Sequence, residues 1–223
     1  LGKENVAPRV ILTEGGSMTD IYVYNQLTKD NNGNIKVDQN GNLGITSSNT
    51  PVKVGNLDAD FNLGWTNHFT YKGIDLGVVL SARVGGLAYS ATQGILDYYG
   101  VSGTSATARD NGGIPINNGK VNAQKYYQTI GTGEGGYGRY YLYSATNVRL
   151  QELSLNYTLP KRWFKNVANV TLGIVGRNLW MIYCKAPFDP ELSASTSSNY
   201  YMNVDYFMQP SLRNFGFNVK VQF

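Results

Sequence analysis

The sequence holds a single cysteine, Cys184, which excludes an internal disulfide and a cysteine-based zinc site. It holds a single histidine, His68, and neither residue has a partner with which to build a nucleophilic constellation. No phosphate-binding loop and no repeated pair of carboxylates occurs, so an enzyme is not expected. Charged residues make up 15%, against about 25% in an ordinary soluble domain. The net charge is +4 and is spread along the chain, which argues against a nucleic-acid partner. No run of about 18 apolar residues is present, so no transmembrane helix is predicted. Barrel strands remain open, because their signal is much weaker per segment. No signal peptide opens the chain, and Leu1-Gly2-Lys3-Glu4 reads as a start in mid-sequence. Proline is also scarce, at 7, whereas Gly (26) and Tyr (17) are abundant, a balance that suits strands with long loops.

The strongest pattern is the last stretch. Phe215, Phe217, Val219, Val221 and Phe223 alternate with Gly216, Asn218, Lys220 and Gln222. A period of two marks a strand with two different faces. A hairpin is predicted across Asp60 to Val84. Phe61, Leu63, Trp65, Phe69 and Tyr71, then Ile74, Leu76, Val78, Leu80, Ala82 and Val84, share the apolar face, and Lys72-Gly73 makes the turn. Each arm is long enough for a tilted strand to cross a bilayer, and Tyr71 fits an interfacial aromatic girdle. A further strand runs from Thr146 to Leu159, with a phase slip between Leu150 and Leu153 that predicts a bulge or the membrane boundary. Val170, Leu172, Ile174, Asn178 and Trp180 mark another, and Thr19 to Asn25 a first one. Asn31-Asn32-Gly33-Asn34 and Gln39-Asn40-Gly41-Asn42 predict tight turns around Ile35-Lys36-Val37, a small hairpin within a loop.

About six strands result, with connections that alternate: long from Lys29 to Ala59, short at Lys72-Gly73, long and irregular from Gly85 to Ala145, short from Pro160 to Asn166, and long from Met181 to Pro210. Short turns on one side and long loops on the other are the layout of a bacterial outer-membrane barrel. The smallest such barrels have eight strands, and an open edge in lipid leaves backbone groups unpaired at a cost of several kcal/mol each. The chain therefore reads either as part of a larger all-β transmembrane barrel or as an oligomer that closes one, and the first reading is favoured. A stand-alone small barrel or adhesin and a secreted carbohydrate-binding β-sandwich are the competing readings.

The ordered set of stretches Val54-Gly55-Asn56, Trp65-Thr66-Asn67, Phe69 to Gly73, Ala82 to Gly86, Val148-Arg149-Leu150, Leu155 to Pro160, Val175 to Leu179, Phe188-Asp189-Pro190-Glu191 and the terminal strand resembles the C-terminal part of a SusC/RagA-type TonB-dependent outer-membrane transporter of Bacteroidetes. The resemblance implies a barrel of about 22 strands with a plugged lumen, of which residues 1–223 would supply the last six. It implies partners: the rest of the barrel and its plug, a SusD-like surface lipoprotein, TonB through an N-terminal region, and outer-membrane lipid. The ligand would be a glycan fragment or a peptide, and Phe223 would match the aromatic residue read by the barrel-assembly machinery.

Candidate ligand or lid contacts are the paired loop tyrosines Tyr98, Tyr99, Tyr126, Tyr127, Tyr140, Tyr141, Tyr200 and Tyr201. Such rings either stack on a ligand or pack the loop on itself or on the lid. Arg83, Arg177 and Lys220 fall on the polar, lumen-facing side. No metal is expected, with calcium at Phe188-Asp189-Pro190-Glu191 as the weak exception, since two carboxylates three apart make too few oxygen ligands.

Overall fold

In a computed structural model the described residues are 8–131, 137–192 and 203–223, the side chains of 47–49 excepted. The chain runs through β1 (Arg9–Val10), β2 (Asp20–Leu27), β3 (Ile45–Asn56), β4 (Phe61–Tyr71), β5 (Ile74–Val84), β6 (Leu87–Ser90), α1 (Ala91–Tyr98), α2 (Gly103–Asp110), β7 (Ile114–Ile116), β8 (Gly119–Val121) and α3 (Ala123–Ile130). It continues through β9 (Leu142–Ser144), β10 (Asn147–Thr158), β11 (Asn169–Cys184), β12 (Val204–Asp205) and β13 (Asn214–Gln222). It divides into two units. A sheet unit takes Ala59–Gly85, Ala145–Pro190 and Gln209–Phe223, and a mixed unit takes Leu1–Asp58, Gly86–Ser144 and Glu191–Met208.

The sheet unit is one five-stranded antiparallel sheet in the order β13-β11-β10-β5-β4. Lys72 (φ 46°) and Gly73 (φ 85°) turn β4 into β5. Two consecutive left-handed residues make the tight hairpin turn whose twist matches that of strands. Because the strands are antiparallel, the connection between β4 and β5 and that between β10 and β11 leave from one end of the sheet. The long excursions after Val84 and after Cys184 leave from the other. The predicted phase slip is a bulge: the register with β5 and β11 shifts between Leu150 and Glu152. On β11 the compensating residue is Asn178, held left-handed at φ 54°. This departs from the sequence expectation, which set Asn178 among the apolar residues of that strand.

The mixed unit corrects the sequence reading in three places. First, β2 is not a sixth strand of the large sheet. It pairs with β1 and β3 in a three-stranded sheet of its own. Second, the long polar connection to Ala59 contains β3, a 12-residue strand. Its ladder breaks between Val23 and Asn25, which accommodates Pro51, a residue with no N–H to donate. That break and the Ser/Asn content hid the alternation. Third, Gly85 to Ala145 is not irregular, so the chain is mostly β, not all-β. It forms α1, α2 and α3, each of 8 residues. Helices so short show barely two turns of periodicity. Their stability comes from caps and packing rather than propensity. Ser90 Oγ accepts from the Gln93 N–H, Ser102 Oγ from the Ser105 N–H, and Asn122 Oδ1 from the Gln124 and Lys125 N–H groups. Each such cap contributes about 1 kcal/mol. Leu43, Ala108, Ile116, Val121, Ala123, Tyr127 and Ile130 form the core.

The segment from Lys29 to Leu43 is a tandem of two equal turns rather than a simple hairpin. Asp30 accepts from the Asn32 and Asn34 N–H groups at 2.8 and 2.9 Å and from Asn34 Nδ2 at 3.1 Å. Asp38 repeats this with Asn40 and Asn42. Thr28, Lys36 and Gly44 then close a ring of backbone bonds, Thr28 to Gly44, Gly44 to Lys36 and Lys36 to Thr28, each 2.8–2.9 Å.

Candidate functional site

The register decides which side chains share a face of the sheet unit. Phe61, Leu63, Trp65, Phe69 and Tyr71 stand beside Val84, Ala82, Leu80, Leu76 and Ile74. Those continue into Val148, Leu150, Leu155 and Tyr157, then Trp180, Ile174 and Leu172, then Phe217 and Val219. One face is thus apolar across all five strands, Asn67 being the exception. It is also open: Phe217 is 81% exposed and Ile174 60%. Contiguous exposed apolar surface on this scale marks an interaction face. The opposite face is polar. Gly173 sits there between Asn156 and Asn218, where a Cβ would collide with both side chains. Glycine therefore lets the two amides flank the strand.

The three predicted lumen-facing cations fall on this polar face. Arg83 stands level with Asn62 and Asn147. Lys220 stands opposite Thr171. Arg177 Nε donates to Glu152 Oε2 at 2.8 Å. This pair is exposed on the arginine side and contributes under about 1 kcal/mol.

At the long-connection end of the sheet lies a node that the sequence reading did not isolate. Arg149 Nη2 donates to Asp189 Oδ1 at 2.6 Å, and Nη1 to Asn178 Oδ1 at 3.1 Å, to Ser211 Oγ at 3.3 Å and to Asp189 Oδ2 at 3.4 Å. Ser211 Oγ in turn donates to Asp189. Both charged side chains are buried. The node joins β10, the β11 bulge and both ends of the connection to β13. The available signals were the phase slip and the Phe188-Asp189-Pro190-Glu191 turn, but only folding brings them together. Asp189, weighed as a cation ligand, is instead paired with a guanidinium. Among the described residues no group of three or more His, Cys, Asp or Glu side chains is arranged to hold a metal.

The paired tyrosines gather in the mixed unit. Tyr126 meets Tyr127 and Tyr140 edge-on, and Tyr140 meets Tyr141. Tyr141 is fully buried and donates to Asp97 Oδ2 at 3.2 Å. Asp97, also buried, accepts from Gln93 Nε2 and Thr104 Oγ1 at 2.9 Å each and from Ser102 Oγ. Four donors on one carboxylate satisfy a group that would be costly to bury bare. Burial holds the Tyr126, Tyr127 and Tyr141 phenols above their ordinary range, so they stay neutral. Tyr127 and Tyr141 are thus packing residues, whereas Tyr99 (72%) and Tyr140 (42%) are displayed. Tyr98 packs edge-on against Tyr99 at a cleft of about 510 Å³ lined also by Asp97, Arg109, Gln124 and Tyr127. Tyr200 and Tyr201 lie outside the described residues.

No protein-family model matches the chain. The chain is 26% identical over 201 residues to TonB-dependent receptor P3 of Formosa agariphila, covering 87% of this chain and 19% of that protein. Solved structures of the RagAB peptide importer cover 91% of it. The open-open state gives a TM-score of 0.56 at 17% identity and the closed-closed state 0.53 at 18%. The chain resembles a TonB-dependent transporter of the SusC/RagA type. It spans 19% of the curated receptor and 22% of the RagAB chains. The proteins it resembles are named receptors and importers rather than enzymes.

Proposed function

We propose that the chain is the C-terminal portion of an outer-membrane TonB-dependent importer and forms part of the wall of its barrel. The observation that carries this is the sheet with one face apolar and open over five strands and the other polar, all long connections leaving from one end. Lipid satisfies the first face and a wet lumen the second. A secreted β-sandwich would need a second layer over Ile174 and Phe217, which are exposed. In this reading β4 and β13 pair with strands outside the chain, closing a barrel of about 22 strands. The long connections are extracellular, Arg83, Arg177 and Lys220 line the lumen, and Phe223 serves barrel assembly. A plug and a TonB-contacting segment belong to other parts of the protein. The ligand is an oligosaccharide or a peptide; the RagAB structures are those of a peptide importer, which supports the second. A SusD-like lipoprotein covers the mouth, and Tyr99 and Tyr140 are the displayed tyrosines that meet ligand or lid. The reading needs no cofactor.

The test is the intact mass of the native protein and its companions after detergent extraction. A chain several times 24.5 kDa that needs detergent and carries a lipoprotein is the expected result. A 24.5 kDa membrane species alone would replace it with a small barrel, and a protein soluble without detergent with a secreted module.

A further inference from the structure

The short-connection end of the sheet unit carries a charge pattern that a hydrophobic wall does not need. The connections 72–73 and 159–168 contain Lys72, Lys161, Arg162 and Lys165 and no carboxylate. They are brought side by side by the Thr158 N–H, which donates to the Gly73 carbonyl at 2.7 Å, and by the Leu159 N–H, which donates to the Val170 carbonyl at 2.9 Å. All four cations are exposed, and none forms an ion pair with a carboxylate among the described residues. Aromatic rings stand among them. Trp163 is 62% exposed within the Lys161–Phe164 turn. Tyr71 is 67% exposed, with Lys72 Nζ 5.1 Å from its ring centroid. One carboxylate, Asp75 at the start of β5, stands beside these four cations and accepts from Thr70 Oγ1 at 3.2 Å, whereas at the opposite end Asp60 and Asp189 accompany Arg83, Arg149, Lys185 and Arg213.

We infer that this end is a docking surface for the phosphate headgroups of anionic phospholipid. The inference rests on the membrane reading above and adds to it a lipid preference and a place for it. Cations with flexible apolar stems reach headgroups while their stems stay on apolar surface. Trp and Tyr settle at the same depth, their rings apolar and their N–H or O–H wet. The cations adjoin the apolar face through Tyr71 and Ile74, so a headgroup there belongs to a lipid whose tail lies along the sheet. That continuity selects lipid over a soluble anionic partner.

The full-length protein in detergent is mixed with equal amounts of phosphatidylglycerol and phosphatidylcholine, re-isolated, and its bound lipid is quantified by mass spectrometry. Phosphatidylglycerol should be enriched at low salt, and the enrichment should fade as salt screens the exposed charges. Each of Lys161→Gln, Arg162→Gln and Lys165→Gln should lower the enrichment about fivefold. The pair Lys185→Gln and Arg213→Gln, at the other end, should leave it unchanged. Equal retention of both lipids by a membrane-inserted wild type overturns the inference and leaves the importer reading standing. So does an equal loss in the control pair, or a variant that keeps its lipid preference and loses a periplasmic protein in cross-linking. A protein that stays in solution without detergent overturns the membrane reading itself.

Discussion

The two units solve the burial problem in opposite ways. In the mixed unit the large apolar side chains are inside: Ile130 and Tyr141 are fully buried, and Ile21, Val23 and Leu57 nearly so. In the sheet unit the buried hydrophobic residues among those described are Ala145 and Ala186, while Trp65, Ile174, Phe215 and Phe217 stand exposed. Polar groups are arranged in reverse. The mixed unit buries Asp97 and surrounds it with donors, as a water-surrounded core must. The sheet unit spreads Asn, Thr, Ser and Gly over a whole face. A core folded against water minimises apolar exposure. On the proposed reading the sheet unit is a wall with lipid on one side, which only has to keep its backbone bonded, and the ladder does that.

The sheet unit departs from this contrast at its buried ion pair. Arg149→Met strands the Asp189 carboxylate and should cost about 3–5 kcal/mol. Urea unfolding of the membrane-reconstituted protein reads this, and Arg149→Met with Asp189→Leu should recover much of it. A single variant as stable as wild type would remove the node from the account. The next effect separates the two faces. Val219→Arg should cost about 2–4 kcal/mol if it lies at the midplane, and Asn218→Arg, one residue away on the polar face, close to nothing. Equal costs, measured as folding yield into vesicles, would mean that the faces are not in different media. In the mixed unit, Tyr141→Phe removes one donor from Asp97 and should cost about 1 kcal/mol in the same unfolding assay.

The smallest effect is local. Asn34 holds the Asp30 carboxyl below its ordinary value through its side chain and its N–H, and Asn42 does the same for Asp38, N–H first. Carboxyls depressed by folding stabilise the turns above their unfolded value of about 3.8. That contribution is lost as pH falls through the lower folded values. Amide exchange at Asn34 and Asn42 should therefore show full protection at pH 6 and partial loss below about pH 3.8, with little change in global stability. Unchanged protection through that range would show that the carboxylates do not hold the turns.

The faces of the five strands of the large sheet, Asn178 excepted, were legible because alternation is a local property: each residue's side follows from its neighbour's. The position of the turn at Lys72-Gly73 and the phase slip after Leu150 were legible for the same reason. β3 was not, because Pro51 and a broken ladder interrupt its period, nor were the helices, each too short to show one. The Asp-x-Asn-Gly-Asn tandem was in plain view but looked like ordinary loop punctuation.

That these strands have two unlike faces and connections of alternating length follows from the order of residues, since period and spacing act between near neighbours. The tertiary structure alone decided that β2 belongs to another sheet, that Tyr127 and Tyr141 are core while Tyr99 and Tyr140 are displayed, and that Arg149 meets Asp189 across 40 positions. Partner choice and burial depend on residues far apart in the chain, and no local pattern records which of them will meet.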